Sequence, residues 1–366
     1  MKTVVLVGGG HAHLSVLRQF SRHRAKLARH RVIFITPSTR QFYSGMLPSC
    51  MAGHYDVSDC QIALEPLAAA AGAELVLASV AALNVHEKRL VLDTEETISY
   101  DVVSLNIGSE TDVAGLEMSG DKLFAVKPLA TFFQLWLRVL VEAELKPTYR
   151  LVVIGGGVAA VELALAARHA LSSITRVEVE LIIPERGMLS LANASLRDRV
   201  RAYLDRAGVA MRQGPGVATS AGLGIADGQI IIADRFIAAT GARAPKWVSK
   251  SGLEVDAAGF IAVDDHHRSR SHATVYAAGD ICSRRDVAMQ RSGVHAVYAG
   301  PVVGANLLAE LGIGLPIAYA PKRHPLYILA CGPRYAIAAW GAWSVEGRWV
   351  WFWKDWIDRS FIRRFS

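Results

Sequence analysis

Short apolar runs that stop at glycine recur along this chain. Val4-Val5-Leu6-Val7 ends at Gly8-Gly9-Gly10, and Leu151-Val152-Val153-Ile154 ends at Gly155-Gly156-Gly157. Unbroken apolar runs of this length read as parallel strands buried on both faces. A helical spacing follows each turn, over 12–24 in the first case. Runs at 32–35 and 177–183 supply the next strand of each unit. Two further runs, Phe236 to Ala242 and Ala273 to Asp280, also enter glycines. The pattern predicts an α/β fold with two Rossmann-like dinucleotide-binding domains, one inserted in the other, plus a small C-terminal strand–helix unit.

The last 32 residues carry a different pattern. A strand is expected over 335–343, a turn over 344–347 and a helix over Arg348–Phe365. On a helical projection Trp349, Phe352, Trp353, Trp356, Ile357 and Phe361 gather on one side. Lys354, Asp355, Asp358 and Arg359 lie opposite, Trp351 breaks the pattern, and Arg363 and Arg364 follow in the last turn. Tryptophan with arginine suits a membrane interface or a partner surface, including a second copy of the chain. The alternative is a cap on the protein's own core.

The two glycine turns suggest two dinucleotides and electron transfer between them. At the first, Gly8 and Gly10 allow a tight turn, and the backbone through His11 and Ala12 approaches a pyrophosphate at a positive helix end. His13 occupies the third glycine position, so helix and strand are expected to pack less closely. Thr36 ends the second strand, where an acid would usually hold ribose hydroxyls. His11 and His13 read as phosphate contacts or proton carriers, or as packed side chains with one ring nitrogen satisfied.

At the second turn Gly155 and Gly157 are followed by Ala160, an accepted small residue at the third position. Glu162 reads either as helix-end stabilisation or as a group orienting a nicotinamide or its ribose. Glu185 could take a ribose diol and the adjacent Arg186 a 2′-phosphate. Asp280, just past a strand end, is a turn or N-cap residue or a ligand for ribityl hydroxyls.

A length of 366 residues, 52% hydrophobic, allows two or three domains. The net charge of +7 is too small and dispersed to indicate nucleic acid. Met1-Lys2 and a run that stops at Gly8 do not make a signal peptide, and no apolar stretch reaches the ~18–20 residues of a membrane span. Cys50, Cys60, Cys282 and Cys331 show no Cys-x-x-Cys spacing, so neither zinc nor a thioredoxin-like centre is indicated. His266-His267 is expected in a solvated loop, and no metal is expected. A cytoplasmic, reduced protein with a peripheral contact on the inner face of the cell membrane is the expectation.

The order Gly8-Gly9-Gly10, Gly155-Gly156-Gly157, Ala239-Thr240-Gly241 and Gly279-Asp280 resembles the two-dinucleotide pyridine nucleotide–disulfide oxidoreductases over nearly the whole chain. The resemblance implies FAD on a split first domain (1–116 and 233–316), NAD(P)H on an inserted domain (117–232) and a C-terminal unit (317–366). It makes Asp280, with Gly279, the ribityl site. Gly108, Gly241 and Val294 complete the implied cofactor contacts.

The redox Cys-x-x-x-x-Cys of the disulfide reductases is absent. The better match is the type II NADH dehydrogenase-like branch, which passes electrons from NADH through FAD to a quinone. Segments 8–13, 43–48, 323–332 and 347–358 look like a subgroup found alone or fused N-terminal to selenophosphate synthase. By analogy 43–48 lines the flavin through Ser44, Gly45 and Pro48. The helix after Gly279-Asp280, over 293–307, points its amides at the flavin, and Gln290 is the available glutamine near the acceptor. Glu162 and Gln290 are thus the candidate catalytic residues. Rival readings are a flavoenzyme acting on a selenium or sulfur species through Cys50, Cys60 or Cys282, and a non-enzymatic flavin module that docks a partner.

Overall fold

Thr3–Val7 is the middle strand of a five-stranded sheet, and Thr148–Ile154 is the middle strand of a second. The computed structural model describes residues 1–116, 122–190, 192–225, 228–287, 293–322 and 324–366. The first sheet runs Val275–Ala277, Val102–Leu105, Thr3–Val7, Arg31–Thr36, Glu74–Leu77, with every neighbouring pair parallel. The second runs Leu123–Ala125, Arg235–Ala238, Thr148–Ile154, Arg176–Ile183, Val209–Gln213, again all parallel. In both, the glycine-turn strand has the next strand on one side and a much later one on the other. The crevice for a ligand opens at that reversal, beyond the carboxyl ends of the strands.

The apolar runs are buried on both faces. Val4 and Leu6 join one core while Val5 and Val7 join another. Leu151 and Val153 likewise separate from Val152 and Ile154. Alternate side chains of a strand leave opposite faces, so a run with no polar interruption needs cover on both.

Three expectations shift. First, Arg235–Ala238 belongs to the second sheet, in register with Leu151 to Ile154. The return to the first sheet starts after that strand, not at 233. A fully buried parallel strand needs hydrogen-bonding partners on both edges, and Arg235–Ala238 is the one available to Thr148–Ile154 on that side.

Second, the C-terminal turn falls at Gly341, where φ is +57°, between the paired strands Ala336–Trp340 and Trp343–Gly347. A two-residue hairpin loop needs such a conformation, which glycine adopts freely, and 344–347 continues as strand. Third, His267 is buried rather than solvated, with Nδ1 3.0 Å from the Ala277 carbonyl oxygen.

The helix Arg348–Phe365 forms where expected, and most of its tryptophan stripe faces outward while part of its charged stripe and Phe361 turn inward. Val350, Trp351, Lys354, Asp358, Phe361 and Phe365 are buried, whereas Trp349 is 58% and Trp356 64% exposed. Trp351, the residue that broke the projection, packs inward. The charged residues can do so because Lys354 and Asp358 pair at 2.6 Å.

His13 shows how the first turn works without its third glycine. Its ring is fully buried, with Nδ1 2.7 Å from the Gly8 oxygen and Nε2 2.8 Å from Ser104 Oγ. The imidazole fills the gap between helix and sheet and ties the turn to the neighbouring strand. Burial holds its pKa down to about 4, so it is neutral near pH 7. Replacing it with the small residue usual in such turns therefore weakens the fold. His13→Gly is expected to lower unfolding free energy by about 2–4 kcal/mol in urea denaturation, through a cavity and an orphaned Ser104.

Candidate functional site

The first glycine turn closes on Asn106, the residue after Val102–Leu105. A Cβ on Gly8, where φ is +90°, would lie 2.6 Å from the Asn106 carbonyl oxygen, and one on Gly10 would overlap the Asn106 side chain. Asn106 Oδ1 accepts the N–H of Ala12 at 3.0 Å and of His13 at 3.2 Å, while Nδ2 donates to the Ala278 oxygen at 2.6 Å. One side chain thus joins the first turn to the segment leading into Gly279-Asp280. The Ala12 N–H, expected at the cofactor, is used by this bond instead. Thr36 is buried and donates to the Ser38 oxygen at 3.2 Å, which holds its own loop.

Asp280 follows Gly279, whose φ is +75°. Its carboxylate meets Lys127 Nζ at 2.5 Å, and Lys127 also donates to Ser109 Oγ at 2.7 Å, one residue beyond Gly108. Lys127 follows Leu123–Ala125, the edge strand of the second sheet, so a cation from that unit faces the expected ribityl ligand. Val294 stands half-buried at the start of the helix Gly293–Glu310. Gln290 lies outside the described residues.

Ser44–Met46 makes a single tight turn that leads into the short helix Leu47–Met51, with Pro48 in its first turn. A Cβ on Gly45 would lie 2.8 Å from the Tyr43 ring, so glycine lets that ring fold back over the turn. The exposed surface of the segment is limited to Ser44, and residues 46–50 are buried.

At the second turn Gly155, with φ +150°, abuts the Ala239 carbonyl, and its Cβ would lie 3.0 Å from that of Ala160. This contact explains why Ala160 must be small. Around a Cβ on Gly157 or Gly241 there is open space among the described residues. Glu185 and Arg186 are exposed beyond the end of Arg176–Ile183.

Glu162 does not cap its helix. Its Oε1 accepts the Ala330 N–H at 2.8 Å, and Lys354 faces it from the C-terminal helix. Burial raises its pKa to about 7, against the opposing pull of Lys354. Lys354 Nζ donates to the Gly45 oxygen at 2.6 Å as well as to Asp358. The Tyr43 hydroxyl donates to Asp358 in turn. Burial works against the charge of Lys354, but Asp358 and Glu162 more than offset it, so its pKa moves up.

Glu162, Lys354, Asp358 and Tyr43 therefore form one buried chain of polar groups between the two glycine-turn units. Sequence reasoning found only Glu162 of these. Lys354 and Asp358 carried a signal in their four-residue spacing, but it reads equally as an exposed helix pair. Asn106 and Lys127 had no signal beyond polar residues just after short apolar runs.

Removing the cation tests this arrangement. Lys354→Met leaves Asp358 and Glu162 facing each other in a buried site and is expected to destabilise the protein by about 3–5 kcal/mol in chemical denaturation. Adding Asp358→Asn should recover part of that loss.

Residues 2–300 match the family described as pyridine nucleotide-disulphide oxidoreductase. An NADH dehydrogenase-like protein of Mycobacterium tuberculosis is 26% identical over 327 residues, covering 85% of this chain and 81% of that protein. The ferredoxin–NAD(+) reductase subunit of the Pseudomonas putida benzene 1,2-dioxygenase system is 28% identical over 210 residues. That match takes in 55% of this chain and spans about half, 48%, of the relative's length. The fold is similar to that of a sulfide:quinone oxidoreductase from Aquifex aeolicus, with TM-score 0.82, 15% identity and coverage of 100% of this chain and 91% of the other. It is also similar to putidaredoxin reductase in its covalent complex with putidaredoxin, with TM-score 0.73, 19% identity and coverage of 93% and 81%.

The residues present fit the cofactor of this family. The cradle at Gly8 and Gly10 has no room for side chains, and among the described residues Gly157 opens onto free space and His11 keeps a buried ring nitrogen without a partner. The chain belongs to the pyridine nucleotide-disulphide oxidoreductase family and is an FAD-dependent oxidoreductase that uses NAD(P)H.

Proposed function

We propose that this chain passes electrons from NAD(P)H through FAD to a quinone or another acceptor. FAD is held by 1–116 together with the segment from Ala239 to 316, and NAD(P)H by the unit between. The observation that carries this reading is Lys354. It binds Gly45 of one unit while facing Glu162 of the other.

When bound, the flavin accepts a hydride and passes the electron pair on. The chain's own residues orient and protonate. Gly8, Gly10, Gly155 and Gly157 admit the dinucleotides closely, and Asp280 and Lys127 offer an acceptor and a donor side by side. Hydride transfer asks for alignment rather than for a strong acid. Reduction of a quinone also consumes protons. Glu162 is placed to hold one near neutrality, and Lys354, Asp358 and Tyr43 extend a polar chain behind it. The carboxyl is protonated below about pH 7, so its capacity to donate falls as pH rises through that value.

The thiols weigh against a sulfur- or selenium-directed reaction. All four cysteines are buried and none forms a disulfide. The hydrogen bond with Cys50, then burial, pushes the Cys60 thiol up, and burial pushes Cys331 up. A nucleophilic thiolate needs the opposite shift.

No helix among the described residues is long and apolar enough to cross a membrane. The outward face nevertheless carries Trp349, Phe352, Trp353 and Trp356, joined by Trp340 (66% exposed) and Trp343 (80%) at the hairpin tip. We infer that this aromatic face rests on a membrane surface, where amphipathic rings bind. Deleting the helix would not isolate that role, because Lys354 and Asp358 would leave with it.

Anaerobic addition of NADH, then NADPH, to the purified flavoprotein should bleach the flavin, and a short-chain quinone should restore its absorbance. Absence of bleaching with either donor sinks the proposed reaction. Bleaching without reoxidation sinks only the acceptor. Glu162→Gln should still bleach but reduce quinone on the order of 100-fold more slowly, and lose the decline in rate through about pH 7. In vesicle co-sedimentation, a Trp349→Ser, Phe352→Ser, Trp356→Ser triple variant should partition on the order of tenfold less while keeping its flavin. Equal partitioning of wild type and variant would refute the surface contact.

A further inference from the structure

We propose that His11 is a side-chain ligand for the diphosphate of FAD and takes up a proton as the cofactor seats, which makes cofactor retention pH-dependent. The inference rests on FAD lying at the first glycine turn.

The ring of His11 is 9% exposed, and its Nε2 is buried with no hydrogen-bond partner among the described residues. Its neighbour His13 has both nitrogens bonded. A buried polar atom left unsatisfied is unfavourable, and a phosphate oxygen would satisfy it. The ring is fixed from the side: Tyr43 lies edge-on at 5.4 Å and Phe361 at 5.6 Å, and these two stack on each other at 4.3 Å.

His11 is also the first residue of the helix His11–Arg22. A Cβ on Gly293, the first residue of Gly293–Glu310, would lie 3.6 Å from its Cε1 and Nδ1 and 3.4 Å from Ser44 Oγ. The imidazole thus sits between the positive ends of two long helices, the setting that favours a phosphate.

Burial is the largest influence on it, and the charged groups around it oppose one another. Asp280 favours protonation and Lys127 opposes it. Tyr43 is neutral and donates to Asp358, which is itself paired with Lys354. Burial therefore decides, and holds the pKa of His11 down to about 4. A doubly anionic diphosphate against Nε2 raises it. With the bound-state value above the free one, binding takes up a proton between them. Affinity then strengthens as pH falls through the bound-state value.

The test follows FAD release from the full-length holoprotein by the rise in flavin fluorescence after dilution. Wild type should release FAD about tenfold more slowly at about pH 5.5 than at about pH 8. His11→Gln keeps a donor without titrating and should show no such difference. Calorimetry of FAD binding to the deflavinated chain near pH 6, in two buffers of different ionisation enthalpy, should show net proton uptake by wild type. Release that is flat with pH, an unchanged profile in His11→Gln, or no proton uptake by wild type overturns the role of His11 alone. A chain that neither retains nor rebinds FAD overturns the placement of the cofactor.

Discussion

A lysine keeps its charge in an apolar interior only when partners replace its water. Lys354 has three: the Asp358 carboxylate, the Gly45 carbonyl and, at longer range, Glu162. That requirement sets the rotation of the C-terminal helix and brings Phe361 against His11 and Tyr43. It also leaves the opposite stripe of tryptophans facing out. The helix is therefore a structural part of the cleft and a surface element at once. A change on its inner face reaches the chemistry, whereas a change on its outer face reaches only whatever lies against it.

Asn106 plays the corresponding part on the first sheet. The first turn of a helix exposes N–H groups that need acceptors. Asn106 satisfies two of them and spends its remaining donor on the Ala278 carbonyl. The glycine turn and the Gly279-Asp280 turn are thereby locked at one spacing, although Gly279 stands 270 positions after Gly9 in the sequence. Lys127 does something similar from just after Leu123–Ala125 of the second sheet by meeting Asp280. The proposed cofactor cleft is built from segments far apart in the chain, held by a few polar contacts.

The family match ends at residue 300, and the C-terminal sheet and helix lie beyond it. Relatives with that shared part are named for different electron partners, among them NADH dehydrogenase-like proteins and a ferredoxin–NAD(+) reductase subunit. The common part carries the two nucleotide turns. Lys354, Asp358 and the aromatic face, proposed to rest on a membrane surface, lie in the remainder. This division is physically reasonable, because a hydride donor and a flavin make the same demands whatever the acceptor, while each acceptor needs its own surface.

Both glycine turns, their strands and the α/β class were legible in the sequence, because local sterics and unbroken apolar runs impose them. So was the extent of the C-terminal helix. The direction that helix faces was not, because helical periodicity records which residues are alike and does not say which stripe finds partners. Trp351 looked like an exception and proved to be core, whereas Lys354 and Asp358 looked like surface and proved to be buried. The third position of the first turn looked defective, yet His13 fills it through bonds to Gly8 and Ser104. Residue type and spacing thus determined the elements and their nucleotide turns. Only the tertiary structure decided how Glu162, Lys354, Asp358 and Asn106 are used, because a polar group's role depends on what satisfies it once water is gone.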